Sequence, residues 1–131
     1  MKNIFNILIA DNNPRVRDFL KRELVCSRYR ILMAKNSNEV IKKVFSQEHL
    51  DLLILDPDLT GAEESELLKK IKNRIPALPV VFHTLLSGYS LYLDSFNLAT
   101  YVEKKGNSIE LLKRVVFDIL NKPDLKGIKN L

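Results

Sequence analysis

Two carboxylates, an amide, a hydroxyl and an ammonium stand where short apolar runs of the sequence stop: Asp11 and Asn12 after NILIA, Asp56 after LLIL, Thr84 after VVFH, and Lys104 after TYVE. Such a set suits a divalent cation plus a phosphoryl group. The carboxylates can hold the metal, while the hydroxyl and the ammonium hydrogen-bond phosphoryl oxygens. That chemistry requires the groups to converge. If the runs are parallel strands of one sheet, their carboxyl ends lie along one edge, and that edge is where open α/β sheets bind ligands.

The rest of the chain supplies elements that would enforce this convergence. Asn13 followed by Pro14 is an N-cap with proline at the first helical position, and Val16, Phe19, Leu20 and Leu24 continue as an apolar stripe. Arg28 to Ala34 reads as a second strand. Asn36 and Glu39 then form a capping box that opens a helix with Val40, Ile41, Val44 and Phe45 on its inner face. LDLLILD, without strict alternation, reads as a central strand covered on both sides. Thr60 and Glu63 form another capping box, ahead of Leu67, Leu68 and Ile71. Pro76 and Pro79 bracket the turn into the strand VVFHT. LLSGYSLYLDSFNLA reads as one short, poorly specified helix with Gly88 near its start. TYVEK is the fifth strand. Asn107 and Glu110 open a final helix buried through Ile109, Leu112, Val116, Ile119 and Leu120. Strand and helix alternate five times, which predicts an α/β fold: a doubly wound (βα)5 domain with a five-stranded parallel sheet, covered on both faces as a flavodoxin-like three-layer sandwich.

Bulk composition agrees. A chain of 131 residues that is 46% hydrophobic and 28% charged has material for one domain with a two-sided core. We expect that domain over 1–121, and a short, basic, frayed tail over 122–131, where a proline and a glycine interrupt any helix. No apolar run approaches the roughly 20 residues of a membrane-spanning helix, and the N-terminus lacks a secretory cleavage site; the expectation is a cytoplasmic protein without membrane association. The formal charge of +5 raises the question of nucleic acid. The cations, however, occur as scattered pairs such as Lys21 with Arg22 and Lys69 with Lys70, at helical positions that alternate with buried ones. They read as solvated faces, so nucleic acid is not the expected partner.

Other chemistries lack their residues. Cys26 is the single cysteine, which excludes an internal disulfide, and it reads as a half-buried thiol at a helix end. His49 and His83 have no further ligand at zinc spacing. No serine sits in a G-x-S-x-G elbow, and the glycines are isolated, so no phosphate loop occurs. Each candidate also has a plain reading. Asp56 before Pro57 is a common turn pair, Lys104 and Lys105 form a solvated pair, Thr84 is an ordinary strand residue, and Tyr101 is core packing with a wet hydroxyl. Only their joint placement lifts them above it.

That combination, an acid after strand one, an Asp after strand three, a Thr after strand four, and an aromatic three positions before the Lys that ends strand five, resembles the receiver domain of bacterial two-component response regulators, from about Asn6 to Leu120. The resemblance implies a single-domain regulator of the chemotaxis type that takes a phosphoryl group from a sensor histidine kinase or phosphotransfer protein. Asp56 would be the phosphoacceptor. Asp11, Asp56 and the backbone carbonyl of Asp58 would hold Mg2+, with Asn12 a weaker ligand, while Lys104 and Thr84 would contact phosphoryl oxygens. Thr84 and Tyr101 would form the switch that alters a surface made by the fourth helix, fifth strand and fifth helix. The outcome would be changed affinity for another protein, with the chain itself a monomer or weak dimer and no stand-alone enzyme.

The chain departs from the family pattern at several places, among them Pro57 directly after Asp56 and a shortened fourth helix, which border the site and the usual output face. Neutral Asn12 stands where the family has a second acid, which lowers metal affinity by on the order of a few kcal/mol. Leu85 follows the Thr where a small residue is usual, and Thr60 and Lys105 stand where prolines are common. The Asn12 and Leu85 substitutions keep open an alternative: a degenerate, receiver-like adaptor that binds proteins without being phosphorylated.

Overall fold

Five short apolar segments form one parallel sheet because their side chains are apolar on both faces. The structure, a computed structural model, describes residues 4–46, 48–59, 64–85 and 99–121. The strands are β1 (Phe5–Ala10), β2 (Tyr29–Ala34), β3 (Leu52–Leu55), β4 (Val80–Thr84) and β5 (Ala99–Glu103), in the order β2-β1-β3-β4-β5. Every pairing is parallel. All four residues of β3 and all five of β4 are buried, as expected of strands with a layer on each side.

The helices are α1 (Pro14–Leu24), α2 (Ser37–Val44), α3 (Glu64–Lys72) and α4 (Ser108–Leu120). Alternation along β1 divides the core. Ile7 and Ile9 join Leu20 and Leu24 of α1 and Leu112 and Val116 of α4. Leu8 and Ala10 join Val40 and Val44 of α2 and Leu67 and Ile71 of α3. Two apolar layers on opposite faces of one sheet are the doubly wound, three-layer arrangement expected from the sequence. The helix expected between β4 and β5, with Gly88, falls outside the described residues, as do Thr60 and Glu63 and the tail beyond Asn121.

Local sequence sets the helix starts. Asn13 accepts from the Arg15 backbone N–H at 2.9 Å ahead of Pro14, and Asn36 accepts from that of Glu39 at 2.9 Å. Glu39 Oε1 reaches back to the Lys35 N–H at 2.8 Å, one residue earlier than in a standard capping box. Some expectations are corrected. Asn107 makes no side-chain cap; Ser108 Oγ instead accepts from the Lys105 N–H and donates to the Lys105 carbonyl, closing the turn from within the helix. Phe45 is not on the inner face of α2: the helix ends at Val44, the periodic stripe stops with it, and Phe45 is exposed. Cys26 is exposed rather than half-buried, because it lies past the end of α1 in the turn that leads into β2.

Candidate functional site

Three of the candidate side chains are placed by a backbone bond that carries the sheet ladder one residue further. The N–H of Asp11 donates to Ala34, that of Asp56 to Ala10 and that of Lys104 to Thr84, at 3.2, 2.9 and 3.0 Å. These bonds hold Asp11, Asp56 and Lys104 at the carboxyl edge. The strand order reverses between β1 and β3, where connections leave toward opposite edges of the sheet and a crevice opens.

The groups meet there. Lys104 Nζ lies 2.6 Å from Asp56 Oδ2 and 2.7 Å from Asp11 Oδ2. Asp11 is only 2% and Asp56 8% exposed, so their charges stand mostly out of water. Burial pulls the Lys104 ammonium down, but hydrogen bonds and attraction from the two carboxylates outweigh it and raise its pKa, so the cation is secure at neutral pH. The remaining oxygens accept from backbone: Asp11 Oδ1 from the Asn13 N–H at 2.9 Å and Asp56 Oδ1 from the Asp58 N–H at 3.0 Å. Thr84 ends β4 fully buried beside them.

Asn12 and Tyr101 border this cluster. The Asn12 amide donates to the Asp58 carbonyl at 3.2 Å, so it bridges the loops after β1 and β3 at the oxygen expected to face a metal. The Tyr101 hydroxyl lies 3.4 Å from the Thr84 carbonyl, a long contact, and partial burial followed by the charge of Glu103 raises its pKa and keeps it a donor. Leu85 is 69% exposed, just past Thr84. Among the described residues no three acidic, His or Cys side chains group as metal ligands, so any cation here would have two carboxylates and otherwise neutral oxygens. That oxygen-only set fits a hard cation such as Mg2+, with less charge than a three-acid site.

Two participants were not anticipated. Arg17 Nη1 donates to the Asp11 carbonyl at 2.7 Å and braces the turn that carries the acid. His83, next to Thr84, is 6% exposed, and burial followed by repulsion from Lys104 lowers its pKa to about 4. A polar ring inside an otherwise apolar strand was the available signal; considering His83 only as a zinc ligand passed over it.

A family model described as "Response regulator receiver domain" matches residues 7–116. The chain belongs to that family. Among curated relatives, the receiver is 36% identical over 75 residues to sensor protein EvgS of Escherichia coli, covering 57% of this chain and 6% of EvgS. It is 30% identical over 112 residues to response regulator RR06 of Streptococcus pneumoniae, covering 84% of this chain and 51% of RR06. The chain thus spans about half or less of the length of these relatives. Among solved structures, response regulator TrrA of Thermotoga maritima, in complex with Mg2+-BeF, superposes with a TM-score of 0.78 at 32% identity, covering 89% of this chain and 100% of that one. The receiver fold and the doubly wound topology agree. No helix among the described residues is long and apolar enough to cross a membrane.

Proposed function

We propose that this receiver accepts a phosphoryl group on Asp56 and thereby changes its affinity for another protein, as a relay in two-component signalling in the cytoplasm. The observation that carries the reading is the Lys104 ammonium shared between Asp56 and Asp11 at the sheet edge. A carboxylate oxygen of Asp56 attacks phosphorus in line. The new O–P bond replaces the bond from phosphorus to the imidazole nitrogen of a kinase or phosphotransfer histidine, and the electron pair leaves with that nitrogen. Lys104 then exchanges its bond to Asp56 for one to a phosphoryl oxygen, and the Thr84 hydroxyl donates to another. Asp11, Asp56, the Asp58 carbonyl and, weakly, the Asn12 side-chain oxygen would hold Mg2+. When bound, the ion neutralises charge on the transferring phosphoryl group. As Thr84 is drawn toward the phosphoryl group, Tyr101, in contact with its carbonyl, turns inward and alters the surface near β5.

One observation favours a second reading, an adaptor that works without phosphorylation. The Asn12 amide already occupies the Asp58 carbonyl, so the metal-side oxygen is engaged by the chain itself.

Intact mass after incubation with acetyl phosphate separates the two. The expected result is a phosphoryl adduct that requires Mg2+, is absent in Asp56→Asn and rises in yield in Asn12→Asp. An adduct in Asn12→Asp but not in the parent would favour the adaptor, and one that persists in Asp56→Asn would remove Asp56 from the role.

A further inference from the structure

On the face of the sheet covered by α1 and α4, next to the acidic cluster and sharing Lys104 with it, lies a cavity of about 400 Å³. Its walls are apolar, from Val16, Phe19 and Leu20 of α1 and Ile109 of α4. Gly106 borders it, and a Cβ built there meets nothing within 4 Å, so the β5–α4 connection leaves the space unfilled. This volume lies within the range of small-molecule pockets.

Two further observations say what would fill it. His83 lines the cavity, is 6% exposed, and its Nδ1 has no hydrogen-bond partner. A buried, unpartnered polar atom in an apolar strand calls for an explanation, since packing alone would be better served by Leu or Val. The neutral ring can carry its proton on either nitrogen, so Nδ1 can donate to a ligand oxygen that reaches it. Among the described residues, the charge around the opening has one sign: Arg15, Lys104 and Lys105 line it, and no acidic residue does. Lys104 is committed to Asp11 and Asp56, and Lys105 makes a long, exposed pair with Glu103 at 3.9 Å, which leaves Arg15 and a Lys105 able to turn to meet a ligand.

We infer that this cavity binds a small amphipathic monocarboxylate, with an aryl or alkyl body against Val16, Phe19 and Ile109 and its carboxylate held by Arg15, Lys105 and His83 Nδ1. A carboxylate matches the planar fork of Arg15, and a body without polar groups matches the walls. Lys104 is the one residue among those described that this cavity shares with the phosphoacceptor cluster.

The test titrates the isotopically labelled protein with benzoate and hexanoate as aryl and alkyl probes, and with benzyl alcohol as the uncharged control, following backbone amide resonances. Saturable shifts at Phe19, Gly106 and Ile109 are expected with at least one carboxylate, and about tenfold weaker binding of benzyl alcohol. Arg15→Gln combined with Lys105→Gln, both at exposed side chains, should weaken the carboxylate about tenfold and leave benzyl alcohol unchanged. Phe19→Ser should weaken both probes. Absence of saturation with both carboxylates would overturn the inference. So would affinity indifferent to the charge of the probe or to the Arg15 and Lys105 changes.

Discussion

Two aspartates flank the same four-residue strand and meet opposite fates. Asp51, ahead of β3, accepts the Asn6 backbone N–H at 2.7 Å on Oδ2 and pairs with His49 Nε2 at 3.0 Å on Oδ1, while the Asn6 amide donates to the His49 carbonyl at 2.8 Å. Its His49 partner is 64% exposed. Asp56, just after β3, shares one buried ammonium with a second carboxylate. Both acids are hydrogen-bonded; only one is held in a cluster whose members would have to rearrange if its charge changed. Asp51 latches the amino end of the sheet, whereas at the carboxyl end like charges are concentrated and a single cation holds them.

The strongest way to break this contrast is Lys104→Met. It leaves two buried carboxylates facing each other, and stability should fall by about 3–5 kcal/mol in metal-free urea unfolding, with part of the loss recovered by Mg2+. A neutral result would mean that the ammonium does not hold the pair. Next comes pH. Because His83 titrates near 4 when folded against an ordinary 6.5, the unfolded chain binds the extra proton between those values. Its contribution is therefore complete above pH 6.5 and is lost as pH falls toward 4, by roughly 3 kcal/mol. His83→Leu should flatten that decline in unfolding free energies measured across the window; an unchanged slope would show that other groups cause it. The smallest effects belong to the other end. Asp51→Ala should cost about 1–2 kcal/mol, and His49→Ala under about 0.5 kcal/mol. Neither should alter labelling by acetyl phosphate, and a loss of labelling in Asp51→Ala would erase the distinction between the two acids.

The placement of Asp11, Asp56, Thr84 and Lys104 was legible because parallel strands put all their carboxyl ends on one side, so residues that follow apolar runs must share an edge. The apolar run of LLIL was equally informative about a strand covered on both faces. What could not be read from spacing was how the groups pair across that edge. Whether Lys104 bridges Asp11 to Asp56, and whether the Asn12 amide meets the Asp58 carbonyl, depends on how loops after different strands approach each other. Helix ends failed for a related reason. Ser108 outcompeted Asn107 because its hydroxyl could both accept from and donate to Lys105, and Phe45 lost its inward position when α2 stopped one residue earlier. The cavity was invisible because its lining comes from α1, β4 and the β5–α4 connection, segments far apart in sequence.

The Thr84 carbonyl receives both the Lys104 backbone N–H at 3.0 Å and the Tyr101 hydroxyl at 3.4 Å. The lysine and the aromatic are therefore wired in parallel to one oxygen rather than in series. A displacement of Thr84 must loosen the Lys104 amide at the same moment as it frees the ring. The deuterium uptake of that single amide would serve as a clock for the aromatic's motion, readable without any label on the side chain itself.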